Sequence, residues 1–416
     1  MSLSKMSLSE MSLCELPSLS RRKLLGVSGS LIASAFIPKF ARAADARDPR
    51  FITIILRGAM DGLSAVAPIG DPDYASLHGD LALTKTGDSV GLELDSFFSL
   101  NPAMTNFQRM FKQGKAAVVH AASTSYRERS HFDGQDVLES GYAGPNRTDS
   151  GWLNRAIFNL PQGQRIGASN YLAVGAIAPL VIRGPAETLG WAPGGPGLPN
   201  GDTASRLLDL YTHRDPKLGE LLREGIDTQS LANSAMKGMN NSDRPNEMVR
   251  QARSAAKLMA ADDGPRIAAM AFDGWDTHEN EGGAKGRLFN LLTGLDGALA
   301  EFENALGPVW NQTSIVVMTE FGRTARINGT VGTDHGTGSM AFLAGGAIKG
   351  GRVIADWPGL KDADLYEQRD LKPTTDLRGV VKGLLADQFG FSGQVLADKV
   401  FPDSGMVKPM QGLIST

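Results

Sequence analysis

The sequence has 416 residues, 42% hydrophobic and 21% charged, which is typical of a globular protein with a large core. Gly is frequent at 49 residues but shows no three-residue period, and this excludes a collagen-like fibre. The near balance of 42 basic and 45 acidic residues gives no electrostatic reason to expect a nucleic-acid partner.

The N-terminal residues 1–43 have the three parts of a twin-arginine export signal. A Ser-Arg-Arg-Lys run at 20–23 precedes a weakly apolar stretch at 24–37 and a small-x-small cleavage pattern at 41–43. The apolar stretch is shorter than the roughly 20 residues that cross a bilayer as a helix. The alternative, a disordered basic N-terminus, does not explain the order of the three parts. We therefore expect the twin-arginine export machinery as a partner, a periplasmic or secreted location, and no membrane span in the mature chain.

Removal of this leader changes the charge and cysteine content of the chain. Its six basic and two acidic residues give it a net charge of +4, so the mature chain carries −7. The only cysteine, Cys14, also lies in the leader. The mature protein therefore has no disulfide, and any metal site in it must be built from carboxylates and histidines.

Residues 44–416 alternate between predicted strands and helices. Strands are predicted at 51–56, 116–121, 266–272, 314–319 and 340–344, and helices at 101–114, 287–306 and 376–389. The continuous apolar strands are typical of parallel sheets that are buried on both faces. This order predicts an α/β domain with a doubly wound, mostly parallel sheet and helices on both faces.

The middle of the chain, residues 150–262, has a different pattern. Residues 171–182 predict a strand or hairpin, 189–201 are rich in Gly and Pro, and 204–261 are mostly polar and helical. We expect this region to be a helical and loop insertion or cap within the domain, placed to shape a substrate entrance.

Five polar clusters flank the predicted strands. They are Arg57–Gly62, Arg129–Asp133, Asp273–His278, Glu320–Arg323 and Gly332–Gly336. Ligands of open parallel sheets bind at the carboxyl ends of the strands, so these clusters are expected to converge there.

Carboxylates and imidazoles without cysteine suit zinc, manganese or another divalent metal ion and do not select one of them, and we take zinc and manganese as the main candidates. His131, His278 and His335 are three of only six histidines, and Asp276 lies two residues before His278. Taken alone, each cluster is more often a capped turn or a hydrogen-bonded loop, and Asp61 is explained by a turn before a helix. A carboxylate that closes an apolar strand is partly buried and needs a cation or hydrogen bonds, which favours a site role for Glu320.

Ser130 has two interpretations. With Asp133 it forms a Ser-x-x-Asp pattern, a capping box that would begin a helix, and the residues alone favour this role. A hydroxyl at a helix N-terminus beside a metal ion can also act as a nucleophile.

The motifs together resemble a known family. They are Gly58–Leu63, Arg129–Asp133, Gly274–His278, Thr319–Thr324, Gly332–His335 and Leu343–Gly346. In this order, across residues 50–390, they look like the twin-arginine-exported bacterial proteins of domain of unknown function 1501. The resemblance implies the alkaline phosphatase and sulfatase superfamily, whose members have a doubly wound α/β core and two metal ions. They cleave phosphate or sulfate esters with a Ser, Thr or formylglycine nucleophile.

The superfamily pattern implies roles for individual residues. Asp61 would be the metal ligand after the first strand, and Ser130 would be the nucleophile. The remaining ligands would be Asp276 and His278 for one metal, Glu320 for the second, and His335, with Asp334 orienting or joining it.

Two departures from the superfamily pattern stand out. An Asp-His pair is usual where this chain has Glu320-Phe321, so one histidine ligand is missing unless His131 replaces it. There is also no Cys-x-Pro-x-Arg sequence, which excludes a formylglycine made from cysteine.

The sequence therefore predicts an exported, two-metal hydrolase of small anionic phosphate or sulfate esters, with Arg323 or Arg129 holding the anionic group. The alternative is an envelope binding or assembly protein that keeps the fold without catalysis, as the Glu320-Phe321 departure would allow. A metal-free carbohydrate hydrolase with paired carboxylates is a third interpretation, and it leaves the histidines unexplained.

Overall fold

The computed structural model describes residues 48–161, 171–192 and 246–415, with a few further positions between 208 and 223. The predicted leader at 1–43 lies outside the described residues, as does most of the predicted helical segment at 204–261. Among the described helices, none has the length and apolar character needed to span a bilayer.

The first half of the domain contributes four strands of the main sheet and a separate three-stranded sheet. Its elements are β1 (Arg50–Leu56), α1 (Gly62–Ala65), β2 (Val66–Ala67), α2 (Tyr74–His78), β3 (Leu92–Glu93), β4 (Ser99–Leu100), α3 (Thr105–Lys112), β5 (Ala116–Ser123), α4 (His131–Ser140), α5 (Trp152–Phe158), β6 (Tyr171–Val174) and β7 (Leu189–Trp191). The strands β1, β5, β6 and β7 belong to the main sheet, and β2, β4 and β3 form the separate one.

The second half begins at residue 246. Its elements are α6 (Glu247–Ala260), β8 (Ile267–Phe272), α7 (Arg287–Leu306), β9 (Thr313–Thr319), β10 (Ser339–Ala344), β11 (Arg352–Ile354), β12 (Thr375–Asp376), α8 (Leu377–Phe389) and α9 (Gly393–Val395). A 3₁₀ turn at Gly307–Gln312 joins α7 to β9, and a π turn at Leu396–Val400 follows α9.

One sheet organises the part of the chain that the structure describes. Its strand order is β11-β5-β10-β9-β1-β8-β6-β7, and β12 also pairs with β5. The central strand β1 is parallel to β8 and β9, whereas β10 is antiparallel to both β5 and β9. The prediction of a mixed α/β domain with a mostly parallel sheet is therefore confirmed.

Helices cover both faces of this sheet. Alternate residues of β1 point to opposite faces, so Ile52 and Ile54 pack with α3, α6 and α7, while Phe51 and Ile55 pack with α5 and α8. Every residue of β1 is buried, which explains its continuous apolar sequence.

The helix predicted at 101–114 is shorter than expected. It begins at Thr105, because the buried Asn101 side chain donates to the carbonyls of Ser64 and Gly283 and accepts from the Ala103 amide. Asn101 thus joins neighbouring loops instead of capping a helix.

The direction of β10 decides which loops meet. Because β10 is antiparallel, its first residue lies at the same edge of the sheet as the last residues of β1, β5, β8 and β9. The loop before β10 therefore joins the loops that follow those four strands.

Candidate metal centre

Three imidazoles surround the carboxylate of Asp276. Its Oδ1 lies 3.1 Å from His278 Nε2 and 3.4 Å from His335 Nε2, and its Oδ2 lies 3.4 Å from His131 Nε2. The Nε2 atoms of His278 and His335 are 3.0 Å apart. Ligand-type atoms of His131, Asp276 and His335 all lie within 4.8 Å of one another.

The outer nitrogen of each ring faces an oxygen atom. Nδ1 lies 2.8 Å from Glu320 Oε1 in His131, 3.0 Å from the Arg129 carbonyl in His335, and 3.4 Å from Asp334 Oδ1 in His278. An Nδ1–H that donates outward leaves the Nε2 lone pair free to bind a metal ion. The surroundings therefore orient the ligand atoms of all three rings inward.

The spacing of the ligand-type atoms of His131, Asp276 and His335 fits a metal ion. Metal–nitrogen bonds of about 2.0–2.1 Å in a tetrahedron put neighbouring ligand atoms about 3.3 Å apart. His131 Nε2 is buried and makes no hydrogen bond among the described residues. Imidazole nitrogens with one carboxylate suit zinc or manganese, so the donor set fits the predicted metals.

The surroundings shift the pKa values of two neighbouring histidines, His131 and His335, in opposite directions. The hydrogen bond to Glu320 raises the pKa of His131, although burial opposes this. Burial and the neighbouring charge of His131 lower the pKa of His335. The side chains of His131, His278 and His335 are 22%, 44% and 27% exposed, so an ion from solvent can reach them.

Glu320 lies behind His131. Its Oε1 accepts hydrogen bonds from His131 Nδ1, from the Gly58 amide at 2.8 Å and from Gln135 Nε2 at 3.2 Å. Phe321, the residue at the departure from the superfamily pattern, is buried and its ring stacks on the His131 ring at 5.0 Å. His131 thus supplies an imidazole from α4, and Glu320 orients it.

Arg323 is fully buried, and its guanidinium contacts groups of the protein interior. Its Nη2 lies 2.6 Å from Asp276 Oδ1, and its Nε donates to the Ala59 carbonyl at 2.8 Å. The guanidinium holds the pKa of the Asp276 carboxyl below its usual range, against the effect of burial. Arg323 therefore fixes the central carboxylate in place.

Ser130 occupies the N-cap position of α4, directly before His131. Its side chain makes no capping hydrogen bond, so the predicted capping box is wrong. The Asp133 carboxylate instead accepts from the Tyr126 hydroxyl at 3.3 Å. Ser130 therefore has no capping role, and its side chain interacts with that of Tyr126.

Asp61 belongs to a second, buried cluster. Its Oδ2 lies 3.1 Å from His78 Nε2, and its Oδ1 caps α1 by accepting from the Leu63 amide at 2.9 Å. His78 Nε2 also lies 2.7 Å from Ser64 Oγ, and its Nδ1 lies 3.2 Å from the Ala325 carbonyl. Asp61 thus pairs with His78, whereas the sequence placed it among the metal ligands.

Glu281 completes this buried cluster. It accepts a 2.6 Å hydrogen bond from Thr333 Oγ1, and it interacts with Asp61. Burial would raise the pKa of Asp61, but the charge of His78 holds it far below its usual range. Burial and the charge of Asp61 raise the pKa of Glu281 well above its usual value. Sequence reasoning missed both partners; Glu281 lies only three residues after His278, while His78 follows no strand.

Two glycines let the loops of the centre approach each other. Gly58 has φ +119°, and a Cβ there would lie 2.5 Å from the Asp276 amide nitrogen. A Cβ at Gly332 would lie 2.3 Å from the His278 carbonyl oxygen. Neither position has room for a side chain, so both glycines are needed to bring the ligand loops together.

The comparisons with known proteins give a family and distant structural likenesses. A family model described as "Protein of unknown function (DUF1501)" matches residues 48–400. No curated protein matches the sequence.

Similar solved structures share little sequence with this chain. Ps i-CgsB in complex with k-i-k-neocarrahexaose is 11% identical with a TM-score of 0.37, over 74% of this chain and 68% of that one. Murine ectonucleotide pyrophosphatase/phosphodiesterase 5 is 9% identical with a TM-score of 0.29, over 66% and 57%. Alkaline phosphatase from the Antarctic bacterium TAB5 is 14% identical with a TM-score of 0.32, over 74% and 95%. At this level of likeness, none of them determines the function.

Proposed function

The chain belongs to the DUF1501 family of proteins of unknown function, and from its three-histidine centre we propose that it is a metal-dependent hydrolase of phosphate or sulfate esters. The observation that carries this proposal is the orientation of His131, His278 and His335. Each ring has an oxygen partner at Nδ1 and directs Nε2 toward Asp276. His131 Nε2 has no hydrogen-bond partner among the described residues, and the Nε2 atoms of His278 and His335 lie 3.0 Å apart. An arrangement that serves only to hold loops together would not need three imidazole nitrogens beside one carboxylate.

His131, Asp276, His278 and His335 would hold the ion, zinc or manganese. When bound, the ion would attract the anionic group of the ester and stabilise the charge that develops on its oxygens. Glu320 and Asp334, which the superfamily pattern implied as ligands, would orient His131 and His278 from behind. Because the contacts of Asp61 lie within the buried cluster, these residues support one ion rather than the pair that the sequence suggested.

The protein's own groups would act on the ester as follows. The Ser130 oxygen, at the N-terminus of α4, would form a bond to the phosphorus or sulfur atom while the bond to the ester's alcohol oxygen breaks, and the Ser130 proton would pass to the departing alcohol. Water would then release phosphate or sulfate from Ser130. Arg323 would keep Asp276 in place, because its guanidinium is buried and already paired with that carboxylate. Arg129 is likewise engaged, with Glu367 and Asp370.

The proposal includes membership of the alkaline phosphatase and sulfatase superfamily and a periplasmic or secreted location. The order of the sequence motifs along residues 50–390 supports the first, and the three-part N-terminal pattern at 1–43 supports the second. A small anionic ester is the proposed substrate, and the twin-arginine machinery the proposed export partner.

The test uses the mature protein, purified without chelator. We expect bound zinc or manganese, and turnover of at least one class among phosphate monoesters, phosphate diesters and sulfate esters. His335→Ala should abolish both, whereas Ser130→Ala should abolish turnover and keep the metal. Gln411→Ala, an exposed change at the C-terminal end, is the matched control and should change neither.

The outcomes separate the candidate functions. Bound metal without turnover of any ester would contradict the hydrolase and favour the non-catalytic envelope protein. Absence of bound metal, together with no thermal stabilisation by added zinc or manganese, would contradict the metal centre itself.

A further inference from the structure

A short loop between β11 and β12 contacts the backbone of the metal centre. We name Tyr366–Leu371 the clamp loop. The Asp370 amide donates to the Tyr366 carbonyl at 3.0 Å, and the Tyr366 amide donates back to the Asp370 carbonyl at 2.9 Å. Glu367 and Gln368, at the tip, have φ values of +54° and +56°. These paired hydrogen bonds and the two left-handed residues define a tight turn.

The clamp loop is bonded to both sides of the segment that carries His335. The Ala325 amide donates to the Arg369 carbonyl at 3.1 Å, and the Gly338 amide donates to the Leu371 carbonyl at 3.0 Å. Arg369 Nη2 also donates to the His335 carbonyl at 2.7 Å. The backbone of His335 is therefore fixed relative to this loop.

Asp370 reaches the same histidine by a second route, through Arg129. Its carboxylate is fully buried, and its Oδ2 accepts from Arg129 Nε at 2.9 Å and lies 2.8 Å from Nη2. Arg129 has φ +60°, a conformation that is strained for a residue with a side chain. In this conformation the Arg129 carbonyl lies 3.0 Å from His335 Nδ1.

We propose that Asp370 is a positioning residue for the metal centre, because it holds Arg129 in its left-handed conformation. This conformation fixes the Arg129 carbonyl beside His335 Nδ1. The carbonyl keeps the His335 proton on Nδ1 and so leaves Nε2 free for the ion. This inference rests on the proposed metal centre. It assigns to the clamp loop a function that no motif in the sequence indicated. Without Asp370, Arg129 would relax to an ordinary conformation and its carbonyl would turn away from His335.

The test compares Asp370→Asn with Glu367→Gln. Both changes remove one carboxylate partner of the same guanidinium, but Asp370 is buried and Glu367 is exposed, so the second is the matched control. In Asp370→Asn we expect zinc affinity to fall about 10–100-fold, the range found when the outer partner of a histidine ligand is lost. In the metal-free protein, ¹⁵N NMR of the imidazole should show His335 changing from the Nδ1–H form to a mixture of tautomers. Glu367→Gln should keep the wild-type affinity and tautomer.

The two proposals fail in different ways. Wild-type zinc affinity and an unchanged His335 tautomer in Asp370→Asn would overturn the role of Asp370. Failure of the wild-type protein to bind metal would overturn the proposed function, while the tautomer readout would still test the positioning role. If Asp370→Asn does not fold, Arg129→Lys provides the same readouts, because lysine cannot reproduce the two-nitrogen contact with Asp370.

Discussion

The metal centre and the buried cluster both combine carboxylates with histidine, yet they differ in what their imidazoles contact. In the buried cluster, both ring nitrogens of His78 have oxygen partners, and the side chains of His78 and Asp61 are 0% and 1% exposed. In the metal centre, His131 Nε2 has no hydrogen-bond partner among the described residues, and the His278 side chain is 44% exposed.

This difference separates a stabilising role from a binding role. A buried ion pair whose groups are all hydrogen-bonded holds the structure together, and loss of one partner leaves a buried charge. The three imidazoles of the metal centre are partly exposed, and His131 Nε2 has no hydrogen-bond partner among the described residues, so under the proposed function this group is available to a ligand. The residue type alone does not distinguish the two.

The largest expected effect comes from removing a histidine from each cluster. His78→Ala should lower the free energy of unfolding of the metal-free protein by about 3–5 kcal/mol, because Asp61 is left as a buried, unpaired charge. His278→Ala should change it by no more than about 0.5 kcal/mol. Urea unfolding in the presence of a chelator measures both, and similar losses for the two variants would contradict the distinction.

A change behind His131 should weaken the metal centre with little effect on the fold. We expect Glu320→Gln to lower zinc affinity by about 10–100-fold, since the amide is a poorer acceptor for His131 Nδ1–H. Gln135→Ala removes a different partner of the same carboxylate and should keep the affinity within about twofold. Competition with a chromophoric chelator gives these affinities, and equal losses in both variants would argue against a specific role for the His131 contact.

The buried cluster should also make stability depend on pH. The pKa of the Glu281 carboxyl is raised well above its usual value of 4.5 in the folded state. As the pH rises past 4.5, the unfolded chain therefore releases a proton that the folded protein keeps. Stability should therefore fall with increasing pH, up to the folded-state pKa, by at most about 1.4 kcal/mol per unit. Glu281→Gln cannot release this proton and should flatten the slope. Unfolding measured at several values between about pH 5 and 8 tests this, and an unchanged slope would show that Glu281 is ionised when folded.

The smallest expected effect concerns the link between the two clusters. The Thr333 hydroxyl donates to Glu281, while its carbonyl lies 3.3 Å from Arg323 Nη1. Thr333→Val removes only the hydroxyl and should lower the free energy of unfolding by about 1 kcal/mol. The carbonyl contact to Arg323 stays, so zinc affinity should be unchanged. A parallel loss of affinity would mean that the clusters are energetically coupled.

Much of the framework could be predicted from the sequence. Apolar runs placed β1, β5, β8, β9 and β10 to within two residues at each end, because strands buried on both faces leave a continuous hydrophobic signal. The rule that ligands bind at strand ends correctly grouped Asp276, His278 and His335. His131 was grouped with these candidate histidines, but the superfamily pattern gave it a ligand role only as a substitute for a missing histidine.

The roles of individual side chains depend on contacts that the sequence does not encode locally. Asp61 follows β1 as a ligand would, but the chain after α1 folds back so that His78, the last residue of α2, lies against it. The antiparallel direction of β10 is equally hidden, since an apolar run does not specify strand direction. No sequence pattern indicated a role for Asp370, because its partner, Arg129, is distant in the chain.

The order in which the strands pair has a consequence for biosynthesis. Ala116 at the start of β5 pairs with Ala344 at the end of β10, and Arg129 needs Asp370. Contacts between such distant segments close large loops and form late in folding. A nascent chain therefore displays His131 and His278 long before the ribosome has made the segments that orient them. Under the proposed function, cation capture would thus be a late event, and a tightly bound ion would mark a chain that has folded to its end.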